Sequence, residues 1–491
     1  MPIKNGADYI RRINGLRPNI QINGAPVNGP VAEHPAFKGV VRTQAALYDY
    51  QCHPDNCERM TFRSPAGGES VGISFLTPRT KDDLIRRRSM VQEWASIHHG
   101  FMGRSPDYMN TVIMVMNAAA DRLGESNPLF AENIRRYYTY CMERDITLTH
   151  TFIRPQTNRA SSSTDSAEFG DLARIVRWTE DGIVVSGGTI VATQGGITDE
   201  ILVFPGPCPK HSSPDRNPYA FAFAIPADTK GLSFLCRESY TKNGMSAADY
   251  PLTAQFEEPD AIVVMEDVLV PWERVFLAGD TSLANSFFYE SNFYTHLGHQ
   301  VVARQIVKTE FFLGTIQLLI DTLNIGEYLH IQDKLSEVIV SLEVMNALLT
   351  AAEERAELDE WGTMMPDQTA IHTAMTYFPR VYPRFAEIIQ LIGASGLVMT
   401  PTETDFAGPP HNHLNAYLGT ELHTGMERVK LFRLAWDMSM SSFGARQVLY
   451  ERFFFGDPAR AGKRLSAEYD RLYAISAVNR FLERIPGQGS P

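Results

Sequence analysis

The order of hydrophobic patterns along the chain predicts an α+β fold: a helical N-terminal domain, a central β-barrel and a C-terminal four-helix bundle. Three observations carry this expectation. Apolar residues recur at helical spacing through most of residues 1–146. Between residues 147 and 284 the period shortens to that of strands, and turn residues punctuate it. From residue 285 to residue 491 helical periodicity returns in long segments. A length of 491 residues is also more than one simple core usually carries, so separate domains with these bounds are expected.

In the first block, Lys81–His98 places Leu84, Met90, Val91, Trp94 and Ile97 on one helical face. Asn110–Leu123 and Pro128–Asp145 read as two more helices. Phe130, Ile134, Tyr137, Tyr138 and Cys141 form a core stripe along the second of these. In the middle block, Trp178–Thr193 reads as a hairpin. Gly182 marks its first turn, Ile183–Val185 a strand, Gly187-Gly188 the reversal and Ile190–Thr193 the return. Further β runs follow at Ile201–Gly206, Tyr219–Pro226 and Ala261–Leu277. The last block holds long helices over Val301–Leu323, Lys334–Leu358, Thr369–Leu397 and Met426–Phe455. Lys334–Leu358 is the clearest, with Leu335, Val338, Ile339, Leu342, Met345, Leu348, Leu349 and Ala352 in a wide stripe. The Pro/Gly/Ser-rich tail, Ile485–Pro491, is expected to fray.

A net charge of −12 disfavours nucleic acid and anionic membranes as partners. The N-terminus carries no apolar leader, and no uninterrupted apolar run approaches the roughly 20 residues of a membrane span. With five scattered cysteines, a reducing cytoplasm is the expectation. Cys52, His53 and Cys57 lack a second ligand pair, and His411 and His413 sit in a Gly/Pro stretch read as a loop, so no metal is expected. No strand–GxGxxG–helix and no P-loop occurs.

Four clusters could carry chemistry. In Gly100–Asn110, Arg104 precedes Tyr108 by four residues, with Gly103, Ser105 and Pro106 between them. Pro106 argues for a loop or a new helix start there. The stretch is either a surface turn, its arginine paired with Asp107 or water, or a binding loop. His150, Gln156, Asn158 and Arg159 crowd the switch from helix to strand. A histidine there either satisfies local backbone or hydrogen-bonds a phenol oxygen. Thr193 ends an apolar strand, and Ser441, Ser442, Gly444 and Arg446 interrupt a long helical segment.

The helix–β–helix order resembles the acyl-CoA dehydrogenase architecture. The strings His34–Gly39, His99–Tyr108, Thr149–Arg159, Asp181–Thr193, Asp249–Val275 and Ser441–Pro458 are similar to one branch of it. That branch is the reduced-flavin-dependent phenol monooxygenases typified by the oxygenase component of 4-hydroxyphenylacetate 3-monooxygenase. The resemblance runs over nearly the whole chain. It implies ortho-hydroxylation of a phenol by O2 through a flavin C4a-hydroperoxide, with FADH2 supplied by a separate flavin reductase, and a homotetramer. It assigns Arg104, Tyr108 and His150 to the phenol. It assigns His150, Phe152, Gln156, Asn158, Arg159, Thr193, Ser441, Ser442, Phe443 and Gly444 to FAD. A further family contact falls near Pro205-Gly206, where the sequence diverges. His296 and His299 match a region where some halophenol and nitrophenol members carry a functional histidine. A catalytic His296 with a substrate-binding His299, and two packing histidines, both remain open.

Other readings on this architecture stay in view. Dehalogenation or denitration of substituted phenols, or hydroxylation of a pyrrole or indole ring, would use the same chemistry. An acyl-CoA dehydrogenase or dehydratase would need a catalytic carboxylate or an iron–sulfur cluster. Residues 285–310 hold no cysteine for such a cluster. A non-catalytic relative would bind flavin or a small aromatic without turnover.

Overall fold

The computed structural model describes residues 3–153, 172–204, 208 and 216–485. Helices come first, strands next and long helices last. Two short strands, β1 (Asn19–Ile22) and β2 (Ala25–Pro26), follow an opening helix over Gly6–Gly15. Helices α1 (Lys81–Ile97), α2 (Pro106–Ala118) and α3 (Pro128–Arg144) follow. Thr80 caps α1 by accepting from Asp83 N while Asp83 caps back, and Pro106 and Pro128 start α2 and α3 where a missing N–H costs nothing. Asp145 ends α3 in the left-handed conformation, φ 53°, and turns the chain into the strands.

The strands are β3 (Leu148–Thr151), β4 (Arg174–Trp178), β5 (Gly182–Thr193), β6 (Glu200–Val203), β7 (Asn217–Pro226), β8 (Leu232–Cys236), β9 (Asp260–Pro271) and β10 (Val275–Gly279). One sheet has the order β2-β1-β8-β9-β5-β4, the other β10-β7-β6-β3. The hydroxyls of β3 join them: Thr149 Oγ1 donates to Thr193 O and Thr151 Oγ1 meets Thr189 Oγ1, both on β5.

The C-terminal helices are α4 (Phe293–Leu323), α5 (Leu329–Glu354), α6 (Gln368–Gly393), α7 (Gly425–Ser439), α8 (Ser442–Phe453), α9 (Pro458–Glu468) and α10 (Leu472–Leu482). By length and composition α5 alone among the described helices could cross a membrane; here it packs between α4 and α6.

Several sequence expectations change. The Gly187-Gly188 reversal does not exist: β5 is one strand, paired with β9 on one side and β4 on the other, and the hairpin turn lies before Gly182. Gly187 has φ 118°, and a Cβ there would sit 2.4 Å from the Leu172 carbonyl. The glycine serves close backbone approach, not a turn. The irregular start contains β1, which pairs in parallel with β8; its four residues are too few for their alternation to stand out. The helix expected over Asn110–Leu123 breaks at Ala119. His411 and His413 lie on a short helix, His411–Leu418, rather than in a loop. The segment Met426–Phe455 is two helices, α7 and α8, parted at Met440 and Ser441.

Candidate active site

Arg104 sits in the loop that enters α2, and Tyr108 lies one turn into that helix, so four residues bring the two side chains together. The guanidinium carbon lies 4.1 Å from the centre of the Tyr108 ring, 5.2 Å from Phe454 and 5.5 Å from Tyr450. Its Nη1 donates to Tyr450 Oη at 2.5 Å. An arginine packed among aromatic faces is held in direction as well as in charge. Gly103 leaves room for this arrangement, because a Cβ there would lie 2.0 Å from the Tyr450 hydroxyl and the Tyr450 ring would have to move.

His150 reaches the same place from β3. Its ring centre is 5.7 Å from that of Tyr108, 6.0 Å from Phe152 and 5.2 Å from Phe204. Phe204 continues the aromatic wall to Phe288 and to Phe293 at the start of α4. Burial, aided by the Arg104 charge, holds His150 well below the ordinary histidine range, so the imidazole is neutral. Burial raises the Tyr108 phenol against the pull of Arg104. Two buried atoms in this cluster have no partner among the described residues, His150 Nδ1 and Arg104 Nε. Groups of this kind are ordinarily satisfied. Both belong to side chains packed on Tyr108, so they are candidates to bond a ligand there.

The positions expected at a flavin converge through one carboxylate. Asp260, at the start of β9, accepts from Thr193 Oγ1 at 2.8 Å and takes a bidentate pair from Arg446 at 2.7 Å for both bonds. Arg237 Nε adds a third cationic contact at 3.0 Å. Burial pushes Asp260 upward, but Arg446 and Arg237 outweigh it and hold the carboxyl well below its usual range. The end of β5 and the first turns of α8 are thereby fixed together. Ser441 caps α8 by accepting from Gly444 N and donates to Asp437 O. Gly444 lets α8 start close against α7, since a Cβ would lie 2.7 Å from Asp437 O. Ser442 is exposed, whereas the Phe443 side chain is buried beside Phe101, leaving its backbone for a cofactor. Phe152 is 38% exposed beside buried His150. An accessible aromatic ring, hydroxyls and a helix start with free N–H groups suit a flavin and its polar edge. Gln156, Asn158, Arg159 and the Pro205-Gly206 position lie outside the described residues.

His296 and His299 each face a carboxylate. His299 Nε2 lies 2.9 Å from Glu353, which also takes Arg88 Nε at 2.9 Å. His296 Nε2 is 4.0 Å from Asp359. Burial lowers both rings below the ordinary range against the pull of these carboxylates. Their contacts tie α4 to α1 and to the end of α5. Helix α4 meets the aromatic wall through Phe293 rather than through either histidine.

Sequence reasoning missed Tyr450, Gln194 and Glu258, which bond the Arg104 loop, and Asp260, which joins Thr193 to Arg446. Adjacent acids before a proline, in the string Phe256–Asp260, were the available signal. Among the described residues no group of three or more His, Cys, Asp or Glu side chains is gathered for a metal ion.

Comparison with known proteins shows the family. Residues 5–277 match the family described as 4-hydroxyphenylacetate 3-hydroxylase N terminal, and residues 284–483 match its C-terminal counterpart. The chain is 48% identical over 486 residues to the 4-hydroxyphenylacetate 3-monooxygenase oxygenase component of Geobacillus sp. (strain PA-9), covering 98% of this chain and 97% of that one. A crystal structure of the oxygenase component (HpaB) of 4-hydroxyphenylacetate 3-monooxygenase, complexed with FAD and 4-hydroxyphenylacetate, superposes with a TM-score of 0.91 at 43% identity, covering 98% of each chain. The 4-hydroxybutyryl-CoA dehydratase of N. maritimus, 17% identical, covers 100% of this chain and 97% of its own with a TM-score of 0.86, a likeness of fold alone.

Proposed function

This chain belongs to the 4-hydroxyphenylacetate 3-hydroxylase family, and from that premise we propose that it is the oxygenase component of a two-component, FADH2-dependent aromatic monooxygenase. The substrate is 4-hydroxyphenylacetate or a close phenol, hydroxylated ortho to its hydroxyl. The observation that carries this reading is the pairing of a buried guanidinium with a buried neutral imidazole, each with an unpartnered nitrogen, inside an aromatic wall.

When bound, FADH2 supplies the two electrons that activate O2; one oxygen atom goes to the ring and the other leaves as water. Phe152, Thr193 and the backbone at the start of α8 would hold it, with Gln156, Asn158 and Arg159 as further candidates. The chain's own residues prepare the phenol. His150 Nδ1 accepts the phenol O–H. Arg104 Nε donates to the same oxygen, and its charge favours loss of the proton. As the proton moves to His150, electron density rises at the ortho carbon. The Tyr108 ring and the aromatic wall exclude water and fix the ring plane. A separate reductase supplies FADH2 by diffusion. A cytoplasmic homotetramer completes the proposal, and the exposed apolar side chains Leu472, Tyr473, Val478 and Phe481 on α10 support packing against another copy.

The deciding experiment mixes the purified protein anaerobically with FADH2 and 4-hydroxyphenylacetate, then adds O2 and quantifies 3,4-dihydroxyphenylacetate. Formation of catechol in proportion to FADH2 consumed is the expected result. Quantitative hydrogen peroxide with no hydroxylated product, from this and a panel of other phenols, would overturn the reading.

Two further outcomes follow from the geometry. Gly103→Ala forces the Tyr450 hydroxyl away from Arg104, and is expected to lower kcat/KM by roughly tenfold or more, as overpacking of a buried contact does. Steady-state kinetics against Gly103→Ala combined with Tyr450→Phe checks this, since removing the hydroxyl relieves part of the clash. The second outcome concerns pH. Neutral His150 loses its acceptor only when protonated, which lies well below pH 6.5. The profile of kcat/KM is therefore expected to show no His150 inflection between pH 6 and 8 and to fall only in more acid solution. An inflection near 6.5 that vanishes in His150→Asn would refute the assignment.

A further inference from the structure

Glu258 is fully buried, between Phe256 and the start of β9. Its carboxylate makes no ion pair among the described residues within salt-bridge distance. It is instead devoted to the backbone of the Arg104 loop. Oε2 accepts from Gly103 N at 2.9 Å, and Oε1 accepts from Arg104 N at 2.9 Å and from Gln194 Nε2 at 2.9 Å. Gln194 holds the other side of the same residue, its Nε2 also donating to Arg104 O at 3.0 Å. Gln194 is in turn fixed in the left-handed conformation, φ 64°, with its N–H on Pro259 O at 2.6 Å. Both polar groups of the Arg104 peptide are thus bonded by one acid–amide pair from the strand layer. Behind it, Arg237 Nη2 donates to Glu258 O at 3.0 Å and holds the glutamate's own backbone.

We propose that Glu258, with Gln194, is a positioning residue for Arg104: it sets the direction in which the guanidinium faces the phenol oxygen. The inference rests on the phenol reading above and adds to it a residue that touches neither substrate nor cofactor. The logic is that of donors and acceptors. A carboxylate accepts on both oxygens, and this site uses both. An amide in its place accepts on one side only, and its NH2 then opposes either the Gly103 N–H or the Arg104 N–H. The loop must shift to relieve two facing donors, and the guanidinium shifts with it. A displacement on the scale of an ångström is enough to lose most of the benefit of a placed charge.

The test is a double-mutant cycle on equilibrium binding of 4-hydroxyphenylacetate, measured by calorimetry, with catechol formed per FADH2 as the second readout. Glu258→Gln is expected to weaken phenol binding roughly tenfold and to divert FADH2 to hydrogen peroxide. In an Arg104→Met background the same change is expected to have no further effect on either readout, because the group through which Glu258 acts is gone. Equal phenol affinity in parent and Glu258→Gln, or losses that add in the double variant, would overturn the proposal. If Glu258→Gln does not fold, Gln194→Met replaces it in the cycle, with the same non-additivity expected. Failure of the phenol reading looks different: the parent protein itself neither binds the phenol nor makes catechol.

Discussion

Arg104→Met is expected to lower kcat/KM for phenol hydroxylation by about 10²–10³-fold, the range for loss of one placed donor to a developing oxyanion. The magnitude follows from the surroundings. The guanidinium packs directly on the Tyr108 ring, which also lies against His150, and its Nε, like His150 Nδ1, is buried without a partner among the described residues. Methionine keeps much of the volume among Tyr108, Tyr450 and Phe454, so the wall stays closed while the charge goes. Arg104→Lys is expected to recover little. An ammonium cannot present a flat fork between aromatic faces and still bond Tyr450. Coupling should fall along with rate, since a phenol that keeps its proton is a poor nucleophile. Steady-state kinetics with excess reductase, together with the catechol-to-peroxide ratio, measures both. A loss under about threefold in kcat/KM, about 0.7 kcal/mol, would remove Arg104 from the proton-transfer step.

How much of this was legible in the sequence depended on the range of the interaction. Periodicity is local, and the long helices α4, α5 and α6 were readable because their stripes repeat over many turns. Pro106 marked a loop or a helix start, and α2 begins there; the Ser441–Gly444 residues were read as interrupting one long helix, where the chain in fact ends α7 and starts α8. Short elements were not readable: β1 is four residues long, and Gly187 looks like a turn until Leu172 is seen against it. At the candidate site, Arg104 and Tyr108 stood out as a cation four residues before a phenol, and family resemblance assigned them, with His150, to the substrate. Their support did not stand out. Tyr450 lies 346 residues from Arg104, Glu258 lies 154 away, and Gln194 lies 90 away. No pattern in one sequence marks such pairs. The histidines of α4 were visible in the sequence as chemically capable side chains, but the carboxylates that each faces, Glu353 and Asp359, were not.

The largest stability effect is expected at Glu451, on α8. Its Oε1 accepts from Arg304 Nη1 at 2.7 Å and Lys308 Nζ at 2.8 Å, and its Oε2 from Arg304 Nη2 and Gln305 Nε2, both at 3.0 Å. Arg304, Lys308 and Glu451 are essentially inaccessible to water. The trio also grips the loop that leads to the site: Arg304 donates to Gly100 O, and Lys308 holds Gln447, which donates to Phe101 O. Glu451→Ala strands two buried cations, and such losses typically cost about 3–5 kcal/mol. Replacing all three with Met, Met and Leu is expected to restore much of that, because the penalty belongs to unpaired charge rather than to missing attraction. The pH dependence has a definite sign. Burial pushes Glu451 up, but Arg304 and Lys308 outweigh it and hold the folded-state value at about 2, below the ordinary 4.5. Its stabilising contribution is therefore complete above pH 4.5 and lost as pH falls through about 2. Burial lowers Lys308 to about 8 against the pull of Glu451, so its charged form is disfavoured in the folded state, and its share of stability rises between about pH 8 and its ordinary value of 10.5. Denaturant titration of parent, Glu451→Ala and the triple variant at pH 7, with an acid series on the parent, measures these effects. A Glu451→Ala protein within about 1 kcal/mol of the parent would mean that water reaches Arg304 and Lys308 in the variant and solvates them, and the clamp on Gly100 and Phe101 would then have to come from packing alone.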